Sequence, residues 1–594
     1  MVNVLEEILD LDKKDLKVSK YTTASAMMDA LKEAGVDYIF ANLGSDHPAI
    51  IESWAQAKQE NKSIPEIIIC PHEMIALSAA HSYAQLTGRP QAVFVHVECG
   101  TQNLGGSIHN AARGRVPVLI FAGTSPFTQE GELTGSRNEF IHWIQDVFDQ
   151  RGIVRQYMKY DNEIRTGKNV KQMIHRALQI SQSDPKGPVY LMAAREVLEE
   201  EVDNMPFNTK GWEPLSPSAI PPKGIAAIAN DLLNASHPLI VTSYLGRNPD
   251  AVNELVKLSE RLAIPVIEAV PYYVNFPSDH PMHIGFHWNN PNQNEHLANA
   301  DVIVVIDSDV PWIPLVNKPS AESKIYYIDV DPLKEKTPLW YIPSESFFKA
   351  DSCIALEQLN CYLDEKTTDE QKITYRYNKV SEIHDLQRRN WKQEELLEDS
   401  RVITPQWLTA CIREVIDEDT IIINESITNY DIVSKLIPRN IPGTMFGSGA
   451  SSLGWNGGAA IGAKLAKPDK LVVNLTGDGS YIFSNPTPVH WISRKYDAPF
   501  LTIIYNNRGW GAPRYSTLGV HPDGAASQTD QFWVNFDPPA KLAKVAEAAG
   551  GAYARTIRYP SELVEALISA INMVKEGRSV VLDVQIPQVS HQNL

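Results

Sequence analysis

The 594-residue chain is poor in cysteine: Cys70, Cys99, Cys353, Cys361 and Cys411 are scattered, odd in number and form no CxxC pair. Reduced thiols in a cytoplasmic protein are the plain expectation, not a disulfide framework. Long apolar runs are missing too, so no segment has the length of a transmembrane helix. Met1-Val2-Asn3-Val4-Leu5-Glu6-Glu7 is too acidic for a signal or transit peptide, and Gln592-Asn593-Leu594 does not fit the peroxisomal tripeptide. Basic charge is in deficit, with 54 Lys and Arg against 72 Asp and Glu and a formal charge of −18. That argues against general nucleic-acid or anionic-membrane binding, which both need a basic footprint. No early strand runs into GxGxxG, which argues against a nicotinamide dehydrogenase.

What is present is an α/β pattern. Hydrophobic residues make up 43% of the chain, enough for several large cores, and its length suggests three or four domains. Strand-like runs such as Ala92-Val93-Phe94-Val95, Val302-Ile303-Val304-Val305-Ile306 and Leu471-Val472-Val473-Asn474-Leu475 alternate with helical patterns. Three doubly wound parallel-sheet domains are expected: residues 1–203, 204–363 and 401–594. Residues 364–400, rich in Glu, Lys, Gln and Arg, read as a solvated and partly helical linker. A weak internal echo relates the ends of the chain. Ala79-Ala80 to Pro90 with the strand after it resembles Ala459-Ala460 to Pro468 with its strand.

The strongest chemical signal is Gly477-Asp478-Gly479-Ser480, followed 26 residues later by Asn506-Asn507. Each sits at the end of an apolar run, so two parallel strands would deliver a carboxylate and an amide to one edge. Mg²⁺ prefers such hard oxygen ligands and shares its shell with phosphates. Asp478, the Asn507 side chain and the Gly509 carbonyl are its candidate ligands. Gly477 and Gly479 permit close backbone approach to phosphates, and Ser480 opens a helix where N–H groups face an anion. Glu73, in Cys70-Pro71-His72-Glu73-Met74, follows a strand and opens an apolar helix, which places a carboxylate at the ligand-binding edge of the first sheet.

Together these segments resemble the cofactor signature of thiamine-diphosphate enzymes, specifically the pyruvate decarboxylase and acetolactate synthase superfamily. The local motifs are most like those of benzoylformate decarboxylases. Asn42-Leu43-Gly44-Ser45, His96-Val97-Glu98-Cys99-Gly100, Asn424-Glu425-Ser426 and Asn506-Asn507-Arg508-Gly509-Trp510-Gly511 carry the likeness. The resemblance implies a 2-oxo acid decarboxylase or carboligase using thiamine diphosphate and Mg²⁺. Glu73 would serve the aminopyrimidine, Ser45 the substrate carboxylate, and His96 proton transfer, with His47 and Gln102 near the same pocket. Cofactor contacts are implied at Thr428, Ser451, Leu453, Gly477, Gly479, Ser480, Trp510 and Gly511, with Leu453 as the apolar wedge that bends the cofactor. A homodimer or homotetramer with active sites between subunits follows from the same likeness. Acetolactate-synthase-like ligation, cyclic 1,2-dione hydrolysis and a non-catalytic cofactor-binding homologue are the alternatives. Gly246-Arg247-Asn248 leaves open a flavin (FAD) or nucleotide in the central domain.

The chain departs from the pattern in four places. No histidine occurs near Asp307-Ser308-Asp309-Val310-Pro311-Trp312, where the second catalytic histidine belongs, and the His-His pair of pyruvate decarboxylases is missing. The segment Gly479 to Asn506 is two residues longer than in benzoylformate decarboxylase, and its Asn485-Pro486-Thr487-Pro488 should interrupt the helix start. Ile427, Ala512 and Ser516 stand where that enzyme lines its substrate pocket, so an aryl substrate is not implied.

Overall fold

The computed structural model describes residues 20–287, 292–396, 399 and 401–588. Its strands assemble into three six-stranded sheets in which every pairing is parallel. The first contains β1 (Tyr38–Ala41), β2 (Glu66–Ile69), β3 (Gln91–Val95), β4 (Val118–Thr124), β5 (Tyr160–Glu163) and β6 (Val189–Ala194). The second contains β7 (Pro238–Thr242), β8 (Val266–Ala269), β9 (His283–His287), β10 (Val302–Ile306), β11 (Lys324–Asp329) and β12 (Ser346–Lys349). The third contains β13 (Ile421–Glu425), β14 (Met445–Phe446), β15 (Val472–Gly477), β16 (Leu501–Asn506), β17 (Tyr553–Ile557) and β18 (Val580–Gln585). Central strands β3, β10 and β16 are buried along their whole length. Helices cover both faces of such sheets, which is why these strands read as unbroken apolar runs.

The outer sheets have the same strand order. It runs β2-β1-β3-β4-β6-β5 in the first and β14-β13-β15-β16-β18-β17 in the third. The echo seen in the sequence is therefore a repeated topology. The central sheet runs β12-β11-β10-β7-β8-β9, a doubly wound order whose direction reverses between β7 and β10.

The two outer domains share one core. Helix Glu73–Thr87 of the first packs on helix Trp455–Ala466 of the third, and buried Ile75, Ala79, Ile421, Ala459 and Val472 join a single cluster. Small residues bring the helix backbones together. A Cβ at Gly462 would stand 2.1 Å from the Ala79 carbonyl oxygen, and one at Gly458 would stand 2.8 Å from that of Ile75.

The charged segment 364–400 corrects one expectation. Among its described residues it holds helix Glu370–Glu394, with Arg376, Val380, His384 and Trp391 buried. Arg376 donates to the carbonyls of Leu262 and Ala235 at 3.1 and 3.0 Å, and Val380 enters the central core. Composition hid this because only four of the 25 helical residues face inward, and two of the four are cationic or ionisable. The break expected at Asn485-Pro486 is present. Helix Asp478–Phe483 ends, Asn485 takes a φ of 54°, and Pro486 starts helix Pro486–Lys495. Among the described residues no helix is long and apolar enough to cross a membrane.

Candidate active site

The first half of the site lies at the carboxyl edge of the first sheet. Glu73 follows β2 and opens its helix, where a negative charge suits the helix dipole. The residue is only 5% exposed. Asn42, just after β1, donates to Glu73 Oε1 at 2.8 Å, and the Asn103 amide donates to Oε2. Both carboxylate oxygens are therefore held by neutral amides. Glu73 lines an open cleft of about 600 Å³ with Asn42, Leu43, His96, Cys99, Gly100, Gln102 and Asn103. His72, beside Glu73, caps the helix by accepting from Met74 N–H at 3.3 Å, and its Nε2 lies 2.9 Å from Asn485 Nδ2. It supports the helix start and does not line the cleft.

His96 directly follows β3 and faces this cleft. Its Nδ1 lies 2.6 Å from Asp46 Oδ1, a partner that nothing in the local sequence announces. Gln102 donates to Glu98, and the Cys99 thiol to the same carboxylate at 2.9 Å. Ser45 and His47 stand behind the cleft wall. The Ser45 hydroxyl is buried without a hydrogen-bond partner. His47 is fully buried, with Nδ1 2.9 Å from Asp46 Oδ1, so it supports the wall and does not line the cleft.

The second half lies at the carboxyl edge of the third sheet. Asp478 follows β15 and is 2% exposed; its Oδ1 accepts from Gly479 N–H at 2.9 Å and its Oδ2 from Gly509 N–H at 2.8 Å. Burial pushes its carboxyl up to about 6, despite those N–H bonds. Asn507, one residue past β16, has a buried Oδ1 with no partner at all. An orphaned amide oxygen near an under-neutralised carboxylate is what a missing hard cation would leave. Among the described residues no group of three His, Cys, Asp or Glu side chains could hold a metal. This set has one carboxylate, with an amide and a carbonyl completing it. A Cβ at Gly479 would meet Trp510 Nε1 at 2.4 Å, whereas one at Gly477 would meet nothing within 4 Å. Gly511 is buried, while Trp510 and Ser451 are exposed and Thr428 is half-buried. Leu453 sits half-buried in a loop that the first domain pins. Asn110 donates to the Ser452 carbonyl at 2.8 Å and accepts from Ser452 N–H at 3.1 Å.

Three sequence models span most of this architecture. Thiamine pyrophosphate enzyme N-terminal, central and C-terminal domains match residues 21–153, 225–337 and 426–584. The chain belongs to the thiamine pyrophosphate enzyme family. Among its relatives is the acetolactate synthase of Bacillus subtilis, 23% identical over 98% of this chain and 96% of that one. The benzoylformate decarboxylase of Pseudomonas aeruginosa is 23% identical over 83% of this chain and 87% of that one. Its fold is shared with the 4-hydroxybenzoylformate decarboxylase of Rhodococcus jostii, with TM-score 0.75, 20% identity, and 96% and 99% of the two chains covered. The protein is thus a thiamine-diphosphate-dependent enzyme of the decarboxylase and acetolactate synthase group, acting as a carbon–carbon lyase or carboligase.

In this thiamine pyrophosphate enzyme the central domain uses its switch-point crevice for its own ion pairs. Arg115 from the first domain grips Asp309 through two bonds of 3.0 and 2.7 Å and stacks 4.6 Å over Tyr244, while Lys334 holds Asp329 at 2.6 Å. Gly246 is pressed on the Val274 carbonyl, 2.2 Å from where a Cβ would stand, and Arg247 reaches back toward Asp184 and Asp307. The segment singled out for flavin or nucleotide makes these internal contacts, and its Arg247 and Asn248 also line a cleft of about 240 Å³ with Gln85, Arg115, Lys186 and Tyr273.

Sequence reasoning missed Asn42 and Asn103 on Glu73, Asp46 on His96, and Glu425. Glu425 ends β13 and accepts from Gly454 and Asn456 N–H at 2.6 and 2.7 Å, fixing the start of the helix behind Leu453. The only available signal was that these polar residues flank matched motifs.

Proposed function

We propose that the enzyme is a Mg²⁺-dependent 2-oxo acid decarboxylase with carboligase capacity, built as a dimer or a dimer of dimers. The observation that carries this reading is Glu73, buried at a cleft with both oxygens held by asparagine amides. When bound, thiamine diphosphate supplies the nucleophilic carbon and the electron sink for a bond next to a carbonyl. Glu73 would hold the aminopyrimidine, and Asn42 and Asn103 keep its carboxylate in place. Asp478, Asn507 and the Gly509 carbonyl would hold Mg²⁺. Thr428, Ser451, Gly477, Gly479, Ser480, Trp510 and Gly511 would surround the diphosphate, and Leu453 would be the wedge. Ser45 does not line the cleft; its partnerless hydroxyl would serve a substrate carboxylate only where substrate displaces the wall in front of it. His96 would deliver or remove the proton at the reacting carbon, as an imidazole can.

The Glu73 cleft is lined by the first domain alone. A second copy would bring the third-domain half-site to it, consistent with the exposed Phe127, Phe140, Trp143, Ile144 and Phe148 on the same domain. Pyruvate, benzoylformate and cyclohexane-1,2-dione, each supplied with thiamine diphosphate and Mg²⁺ and read by mass spectrometry, test the reading. Aldehyde and carbon dioxide from a 2-oxo acid are expected. Acetolactate and carbon dioxide without free aldehyde would replace aldehyde release by ligation, the second reading, which the acetolactate synthases among the near-full-length relatives favour.

A further inference from the structure

Three strand ends of the first sheet converge on one carboxylate. Asp46 lies in the loop after β1 and is 1% exposed. Its Oδ1 meets His96 Nδ1 at 2.6 Å, and its Oδ2 accepts from Val97 N–H at 3.0 Å. Val97 has a φ of 34°, a left-handed conformation that a β-branched residue adopts only when its surroundings impose it. The same carboxylate thus fixes the ring of His96 and the strained turn that follows it. Two glycines make the space. A Cβ at Gly44 would stand 2.1 Å from His96 Nδ1, and one at Gly123 on β4 would stand 2.2 Å from Asp46 Oδ2. Ring, carboxylate, turn and both clearances form one built unit.

We propose that Asp46 is the positioning residue of this active site, aiming the His96 ring through Nδ1 and keeping its proton in place. With Nδ1 bound to Asp46, proton exchange with the reacting carbon falls to Nε2. The catalytic meaning of this pair rests on the function proposed above, but the pair itself exists without cofactor. Charges around it agree. Burial lowers the affinity of His96 for its proton, yet Asp46, with Gln145 and Glu73 nearby, more than offsets this and raises it above the ordinary value. Burial works against the Asp46 anion, but His47 and His96 hold its carboxyl well below the usual range. His142, 3.1 Å from Arg195, and Tyr190 face Asp46 at longer range.

Deuterium exchange at imidazole C2, read by mass spectrometry on the full-length protein without thiamine diphosphate, follows each histidine separately. His96 should titrate above the ordinary value of about 6.5. Asp46→Asn keeps the size and a hydrogen bond but removes the charge, and should move the His96 midpoint down by roughly one to three pH units. The His109 midpoint serves as the unmoved control. A role in packing alone would leave His96 where it is in the wild type, and that result overturns the proposal. If the variant does not fold, a wild-type midpoint at or below about 6.5 overturns it equally. A shifted His96 in a protein that decarboxylates nothing would sink the proposed function and leave the pair intact.

Discussion

Glu73 and Glu425 are both buried glutamates at the carboxyl edges of the outer sheets, yet their surroundings assign them different work. Glu73 borders a cleft and is held by side-chain amides that leave it open to a ligand. Glu73→Gln should lower turnover by roughly 10²–10⁴-fold, the usual weight of an acid–base group. Calorimetry should still show thiamine diphosphate binding, since the amide preserves shape. Unchanged turnover would remove Glu73 from the mechanism. Glu425 is sealed inside, and burial pushes its carboxyl up to about 7 against the pull of Asn456, Gly454 and Trp455 N–H groups. An acid whose folded value is raised binds its proton more tightly in the folded state. Stability then falls as pH rises from the unfolded value near 4 to about 7. Urea unfolding from pH 5 to 8 should show the wild type losing stability relative to Glu425→Gln. Parallel pH profiles would contradict this assignment.

At the scale of elements, the contact between helices Glu73–Thr87 and Trp455–Ala466 ties the two half-site domains together. Its closeness depends on glycine. A methyl at Gly462 would meet the Ala79 carbonyl oxygen at 2.1 Å and its carbon at 2.9 Å, and backbone cannot swing aside. Gly462→Ala should therefore cost about 1–3 kcal/mol by overpacking, more than the ~1 kcal/mol that alanine gains in a helix. Gly519, in helix Gly511–Val520, has nothing within 4 Å of an added Cβ. The same substitution there should be neutral or stabilising. Urea midpoints of the two variants give the comparison, and equal shifts would refute the packing argument.

The whole molecule poses a question of assembly. Within one chain the first domain supports the loop carrying Leu453, through Asn110 and Ser452, while the cleft of Glu73 has walls from the first domain only. In the proposed dimer each site combines Glu73 of one subunit with Asp478 of the other. Co-expressing Glu73→Gln and Asp478→Ala chains should then restore about a quarter of the wild-type sites, because random pairing gives half heterodimers with one intact site each. No recovery in a verified heterodimer would place both half-sites in one subunit.

Much of this protein was legible before folding. Apolar β-branched runs alternating with helical patterns dictated parallel sheets, because strands covered on both faces must be apolar throughout. Gly477-Asp478-Gly479 and Asn507 were readable for a similar reason, since turn chemistry and strand ends are local properties. The helix at 370–394 was not read as packed, because only four of its 25 residues are buried and two of those, Arg376 and His384, are polar. Nor could local pattern connect Asn103 to Glu73 across 30 residues, or His96 to Asp46 across 50. Those partners meet only because parallel strands end at a common edge, and the order of strands in the sheet decides which ends are neighbours. Sequence determined the elements and the strand ends that carry the candidate cofactor residues; tertiary structure decided which side chain holds each of those groups in place.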